Sequence, residues 1–321
     1  MKALLKKNIG RCTSEIAQAL PRSKQYLRRL GIRTSEGCFQ NRAVSIQFRN
    51  RSGFKLTKPD DNYLSFQLFW HGGDFYEPIT RSLLETLAET GETFFDIGAN
   101  IGFFSLALGT LHPRLRIISF EPNPKNYATF QKNISVNQAQ NIRCEPYAIS
   151  DSTGSATLHL SESDMSASLT ENFQPDYTVQ TDSIEVQTCS MDDYIEQNPI
   201  AGSAFIKVDI EGHEQAFFDG GEQTLSRHRP DLIVEVLFEQ EPAFADMLRD
   251  FGYAFYHITD AGLIETNHLI HLVTPPFRFL NFFLTRRSRT EVKALSDQLK
   301  SRLPALNLFE TSKYFPGKES I

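Results

Sequence analysis

The chain has 321 residues, 40% hydrophobic and 22% charged, with 26 phenylalanines and a net charge of −6. Those totals exclude a disordered or fibrous chain and leave room for one large domain or two small ones. The four cysteines (Cys12, Cys38, Cys144, Cys189) form no CxxC pair, and the chain has no run of 18 apolar residues. A disulfide scaffold, a membrane span and a secretory signal are therefore not expected, and the thiols read as reduced in a cytoplasmic protein.

Charge is uneven. Residues 1–34 carry nine Lys and Arg against Glu15 alone, a charge of +8 that leaves −14 for the rest. This basic arm reads either as a solvated, partly helical extension or as a contact for an anionic surface. AVSIQF (43–48) and YLSFQLFW (63–70) read as short strands, with HGGD (71–74) as a turn. YEPITRSLLETLAE (76–89) has the apolar spacing of an amphipathic helix, with Pro78 in its first turn.

From residue 93 strands and helices alternate. TFFDIG is a strand and 101–111 a helix. LRIISFEP (115–122) is a strand, and 123–138 is a helix capped by Asn123. NIRCEPYAIS (141–150) reads as one strand, followed by an antiparallel insertion built from SATLHL and VQTCS. SAFIKVDIEG (203–212) is a strand, HEQAFFDGGEQTLSR a helix, PDLIVEVLF (230–238) a strand and EPAFADMLRDFG a helix. YAFYHIT and FRFLNFFLT are two late strands. This alternation predicts an α/β fold, a doubly wound, mostly parallel sheet with one antiparallel edge near the C-terminus.

The glycine-bearing loop TFFDIGANIGFFS (93–105) interrupts an apolar stretch with Asp96, Gly98, Asn100 and Gly102. Gly98 permits a sharp turn, Gly102 a close approach, and the helix that follows offers free N–H groups to an anion. The spacing departs from the G-x-G-x-x-G of dinucleotide sites, and Asp96 would repel a pyrophosphate. A ligand with an ammonium and a carboxylate but no phosphate fits, and S-adenosylmethionine is one. Glu121 ends the second strand 19 residues after Gly102, where an acid can accept the hydroxyls of a ribose.

D-I-G-A-N-I-G-F-F-S, F-E-P-N-P, A-I-S-D and I-K-V-D-I-E-G-H-E occur in that order. Together with YEP at 76–78 and the late RFLNFF they resemble the FkbM family of S-adenosylmethionine-dependent methyltransferases, over roughly residues 76–285. The resemblance implies a class I, Rossmann-like methyltransferase fold. It also implies O-methylation of a hydroxyl on a sugar or small-molecule natural product. It assigns Asp96, Gly98, Asn100 and Gly102 to the methionine end of the cofactor, Glu121 and Asn123 to the ribose, and Ala148 to Asp151 to the adenine border. The chain then divides into a basic arm (1–42), strands and a helix packed on the core (43–90), a methyltransferase domain (91–286) and a C-terminal helix and tail (287–321).

AFIKVDIEGHE (204–214) breaks a local rule. Alternation puts Ile206, Val208 and Ile210 on one face and Lys207, Asp209 and Glu211 on the other, although a central parallel strand is normally apolar on both. Buried charges of this kind pair or serve a site. Methyl transfer to oxygen needs an aligned hydroxyl and a group that takes its proton. Asp209 is the first candidate for base or acceptor anchor, and His213 the rival base. Lys207 either tunes Asp209 or stabilises an alkoxide, and Glu211 either holds a sugar hydroxyl or orients Lys207. Two other readings stand beside these: a structural Lys207–Asp209 ion pair, and a metal site from Asp209, Glu211 and His213 with Glu235, though no diagnostic metal motif is present. His71 and Glu77 are candidates for the acceptor pocket, and SESDMSASLTENF (161–173) for a mobile lid. No basic stripe with interleaved aromatics marks nucleic acid as a substrate. The alternatives to a methyltransferase are a catalytically silent S-adenosylmethionine-binding protein and an NAD-dependent oxidoreductase; the oligomeric state is not legible.

Overall fold

The computed structural model describes residues 43–48, 51–57, 62–161, 167–170, 180–200, 202–237, 241–270 and 280–303. The expected basic arm at 1–42 and most of the expected lid lie outside these residues.

The chain begins with a hairpin, β1 (Val44–Phe48) and β2 (Arg51–Leu56), paired antiparallel. YLSFQLFW is not a strand but helix α1 (Tyr63–His71). Its buried residues Leu64, Leu68 and Phe69 follow a helical repeat, and both ends are signalled. Asn62 accepts from Ser65 N at the start, and Gly72 closes the last turn on the Leu68 carbonyl. Helix α2 (Pro78–Leu87) follows, with Pro78 in its first turn as expected.

The alternating region then runs β3 (Thr93–Ile97), α3 (Phe103–Leu111), β4 (Arg116–Phe120), α4 (Pro124–Asn137) and β5 (Ile142–Glu145). Asn123 caps α4 by accepting from Lys125 N. NIRCEPYAIS is two strands rather than one. It breaks at Pro146, which cannot donate to a ladder, and β6 (Ala148–Ser150) joins a separate sheet with β7 (Gly154–Ser161), β8 (Ala167–Ser168) and β9 (Gln180–Ser190). The expected antiparallel insertion is the β7–β9 pair of that sheet.

Helix α5 (Met191–Gln197) leads to β10 (Ala204–Val208). The single helix expected after it is two, α6 (Glu214–Asp219) and α7 (Glu222–His228), parted at Gly220–Gly221. Then come β11 (Asp231–Glu235), α8 (Phe244–Asp250), β12 (Ala254–Thr259), β13 (Gly262–Thr266), β14 (Asn281–Thr285) and α9 (Arg289–Arg302).

The main sheet has eight strands in the order β13-β12-β14-β11-β10-β3-β4-β5. Strand β10 pairs parallel with β3 and β11, while β14 is antiparallel to both β11 and β12. The antiparallel strand expected at the edge is thus interior, and the edge is the unpredicted β13. This is the class I methyltransferase arrangement of a Rossmann-like sheet, extended by one strand. Alternate residues feed two cores. Phe94, Ile117, Ile233 and Phe283 pack with α2, α3 and α9, whereas Phe95, Ile118, Val234 and Phe282 pack with α5 to α8. Helices therefore cover both faces, and the carboxyl ends of β3, β4, β10 and β11 open on one edge. That edge holds the candidate site.

Candidate active site

The turn after β3 is built on two glycines. Gly98 has φ +83°, and a Cβ there would lie 1.9 Å from the Asp209 carbonyl oxygen, so β3 and β10 meet through this missing side chain. Gly102 has φ +84°, and its Cβ would lie 2.0 Å from the Phe130 ring of α4. The close approach expected at Gly102 is therefore filled by a helix of the fold. Gly102 caps α3 with no side-chain hydrogen bond. The first N–H groups of that helix face the turn with the positive end of its dipole.

Asp96 lies within β3 rather than in the loop and is 2% exposed. It stands in register between Lys207 of β10 and Ser119 of β4. Ser105 of α3 donates to Asp96 Oδ2 at 2.5 Å and lies 2.8 Å from Ser119 Oγ. Burial raises the Asp96 pKa, against the opposing pull of Lys207 and Ser105.

Glu121 follows β4. Its two carboxylate oxygens accept from Asn100 N at 2.8 Å and Asn123 N at 2.9 Å. Burial pushes it up to about 7 in spite of these bonds. One carboxylate thus ties the glycine turn to the start of α4. Ala148 is buried in β6, and the Asp151 carboxylate accepts from Ser150 and Ser152. His213 stands at the start of α6, where its Nε2 lies 3.0 Å from Ser150 Oγ. Burial lowers its pKa, with Asp151 pulling the other way.

The acidic stretch at the end of β10 is a cluster. The strand stops at Val208, so the expected alternation does not carry Asp209 and Glu211; the turn does. Lys207 Nζ donates to Asp209 Oδ2 at 2.6 Å and sits 4.6 Å from the centre of the Phe104 ring. Burial raises the Asp209 pKa, but the Lys207 ammonium and a hydrogen bond donated by Glu235 outweigh it and hold the carboxyl below its ordinary value. Glu235 is raised well above its own by burial and by Asp209, and so holds the proton it donates. Glu211 is pushed up to about 8 by burial, Asp209 and Glu214. Glu77, at the start of α2, is raised by burial against the pull of Lys207; it accepts from Asn281 Nδ2 at 3.0 Å and from the Tyr76 hydroxyl.

Five non-glycine residues among those described have left-handed backbones. Gln138 and Arg229 end helices, where that conformation is ordinary. The other three are Glu77, Asn100 and Glu211, all at this edge of the sheet, where strain of about 1 kcal/mol or more per residue is held by the surrounding packing.

The sequence did not single out Asn281, Glu214, Ser105 or the ring of Phe104 for a role. Asn281 carries a signal in hindsight, as the one amide in the apolar run FRFLNFFLT. His71, a pocket candidate, stacks on Phe75 with ring centres 4.5 Å apart. Among the described residues no three His, Cys, Asp or Glu side chains are placed to hold a metal ion.

Residues 96–255 match the family described as the Methyltransferase FkbM domain. The chain is 28% identical to the 2-O-methyltransferase NoeI of Sinorhizobium fredii, covering 47% of this chain and 66% of that protein. It is 27% identical to the 31-O-demethyl-FK506 methyltransferase FkbM of Streptomyces tacrolimicus, covering 46% and 65%. It is 28% identical to the hexuronic acid methyltransferase AglP of Haloferax volcanii, covering 45% and 55%. The chain thus spans just under two thirds of these relatives' lengths, or less. Among solved structures, the methyltransferase FkbM of Methylobacillus flagellatus is similar at 20% identity and a TM-score of 0.40, covering 61% of this chain and 43% of that one.

Proposed function

We propose that this chain, whose residues 96–255 match the Methyltransferase FkbM domain, is an S-adenosylmethionine-dependent O-methyltransferase acting on a hydroxyl of a sugar or small-molecule natural product. The observation that carries this reading is the adjacency, across β3 and β10, of a glycine turn at a helix start and a half-buried, ion-paired carboxylate.

The residues present fit the cofactor. At the start of α3, Gly102 brings no capping side chain and Asp96 takes the Ser105 N–H, so the first main-chain N–H groups of the helix are offered to a carboxylate. The Glu121 carboxylate accepts from Asn100 N, Asn123 N and the Asn126 side chain, which leaves one of its four lone pairs for a ribose hydroxyl. Asp96, Asp209 and the neighbouring acids give the site a negative field that suits a ligand carrying an ammonium and a sulfonium. S-adenosylmethionine supplies an electrophilic methyl group when bound.

Asp209 serves as the acceptor anchor. The pair with Lys207 keeps it ionised, so it accepts a hydrogen bond from a substrate hydroxyl and aligns that oxygen. The same pairing makes it a weak base. Glu211, at about 8, is better matched to take the hydroxyl proton as the bond to carbon forms. Lys207 holds Asp209 in place. His213 is bonded to Ser150 and belongs to the adenine border with Asp151 rather than to the proton transfer. The printed names of two relatives, a 2-O-methyltransferase and a 31-O-demethyl-FK506 methyltransferase, support oxygen as the atom methylated. Buried, free Cys144 and Cys189 suit a reducing compartment such as the cytoplasm. Among the described residues no helix is long and apolar enough to cross a membrane.

The test is calorimetric titration with S-adenosylmethionine, of wild-type protein and of an Asp96→Ala, Glu121→Ala double variant. Wild type is expected to bind and the folded variant to lose binding. Folded wild-type protein that binds no S-adenosylmethionine overturns the reading. Bound cofactor with no methyl passed to any sugar or natural-product hydroxyl favours the silent binding protein instead.

A further inference from the structure

The cluster beyond Lys207 has a chemistry of its own. Glu77, Asp209, Glu211 and Glu235 come from three separate places in the chain and meet at the ends of β10, β11 and α2. The cation that acts on Glu77, Asp209 and Glu211 is Lys207, and it is already committed to Asp209 at 2.6 Å. All four acids keep partial solvent exposure while their surroundings are dry enough to shift their titration. Acids lining the wall of a cleft behave in this way; acids on an open surface do not.

A second observation points to a ligand. Asn281 is 7% exposed, and its Oδ1 has no hydrogen-bond partner among the described residues, although its Nδ2 donates to Glu77. It stands in register with Glu235 across β11 and β14. Glu214 Oε2 is likewise buried without a partner, and Glu214 lies within the field of Asp209. A buried oxygen left without a donor costs free energy until a donor arrives. The wall therefore offers an unmet acceptor at Asn281 Oδ1 beside carboxyls of which Glu235 keeps its proton, and the complementary ligand brings O–H or N–H donors.

Resting on the methyltransferase reading above, we propose that the acceptor pocket takes a polyhydroxyl compound with no anionic group, and that its acidic wall rejects uronic acids and sugar phosphates. A neutral or amine-bearing sugar satisfies Asn281 Oδ1 and the carboxylates with its hydroxyls. A carboxylate or phosphate on the same ring gives up its hydration beside these carboxyls, and among the described residues the cation of the cluster, Lys207, is already committed to Asp209. This separates the chain from the hexuronic acid methyltransferase to which it is similar.

The experiment uses the full chain loaded with S-adenosylhomocysteine. Binding is measured for matched methyl glycosides: glucoside, galactoside and mannoside, their amino forms, their uronide forms and their 6-phosphates. At least one neutral or amino member is expected to bind, with its uronide and phosphate roughly a hundredfold weaker. Asn281→Leu is expected to weaken that member roughly tenfold and to leave S-adenosylhomocysteine affinity unchanged. A uronide or phosphate that binds as well as its neutral parent overturns the proposal. So does failure of every neutral and amino member to bind. If S-adenosylhomocysteine still binds in either case, the methyltransferase reading survives and only the acceptor class falls. An Asn281→Leu protein that loses both ligands together assigns Asn281 to the fold and removes it from the pocket.

Discussion

Lys207 Nζ lies 2.6 Å from Asp209 Oδ2, and the lysine is only 1% exposed. Removing one member of such a pair leaves the other charge uncompensated. Lys207→Met is therefore expected to cost about 3 kcal/mol, measured by urea unfolding at pH 7. In the wild type the Asp209 pKa is depressed, so its contribution is present above the unfolded value and lost as pH falls. Without Lys207, burial raises the unpaired Asp209 carboxyl, which takes up a proton on acidification, so the gap between variant and wild type should narrow at pH 4. An equal gap at both pH values would assign the loss to packing on Phe104 instead.

Glu121, Glu214 and Glu211 are raised to about 7, about 7 and about 8. With folded values above unfolded ones, the native state holds more protons across that interval. Its advantage is complete below the unfolded pKa and lost as pH rises through the folded one. The ligand-free protein is expected to lose thermal stability from about pH 5 to about pH 8. Glu121→Gln should flatten part of that fall and weaken cofactor binding, since its NH2 would face the Asn123 N–H, which now donates to the carboxylate. A Tm that stays level across the interval in wild type would contradict this.

The two glycines of the turn should respond differently to alanine. At Gly102 the new Cβ meets a side chain, Phe130, whereas at Gly98 it meets the backbone of Asp209. Both variants are expected to lose roughly 2–4 kcal/mol by urea unfolding, from positive φ and overpacking together. Phe130→Leu should recover part of the loss at Gly102 and none at Gly98. Equal behaviour in the two double variants would show that backbone strain, not contact, dominates.

Glu211→Gln and His213→Gln discriminate between the two candidate bases. If Glu211 takes the proton, its glutamine variant lowers kcat roughly a hundredfold and removes a rise in rate near pH 8. His213→Gln should keep the pH profile and change mainly the affinity for the cofactor, through Ser150. The reverse pattern in steady-state kinetics would return the role to His213.

Much of this candidate site is legible in the sequence alone. Asp96, Gly98, Gly102 and Glu121 stood out because each interrupts an apolar stretch, and interruption is a local signal. The 207–211 stretch stood out for the same reason. Local patterns failed where the same residues satisfy two periods. YLSFQLFW is apolar enough for a strand, and only the Asn62 and Gly72 caps mark it as a helix. NIRCEPYAIS has the composition of a single strand, yet Pro146 divides it between two sheets.

The sequence by itself determined the strand–helix alternation, the turn after β3 and the presence of misplaced charge on β10, because these depend on side chains a few residues apart. Only the tertiary structure decided which charges meet. Glu77, Glu235 and Asn281 are separated by up to 204 residues, and no periodicity relates them. Strand β14 is the clearest case. Because it runs antiparallel between β11 and β12, its first residue rather than its last reaches the carboxyl edge of the sheet. That reversal sets Asn281 opposite Glu235 and beside Glu77, where a parallel strand would have presented Thr285.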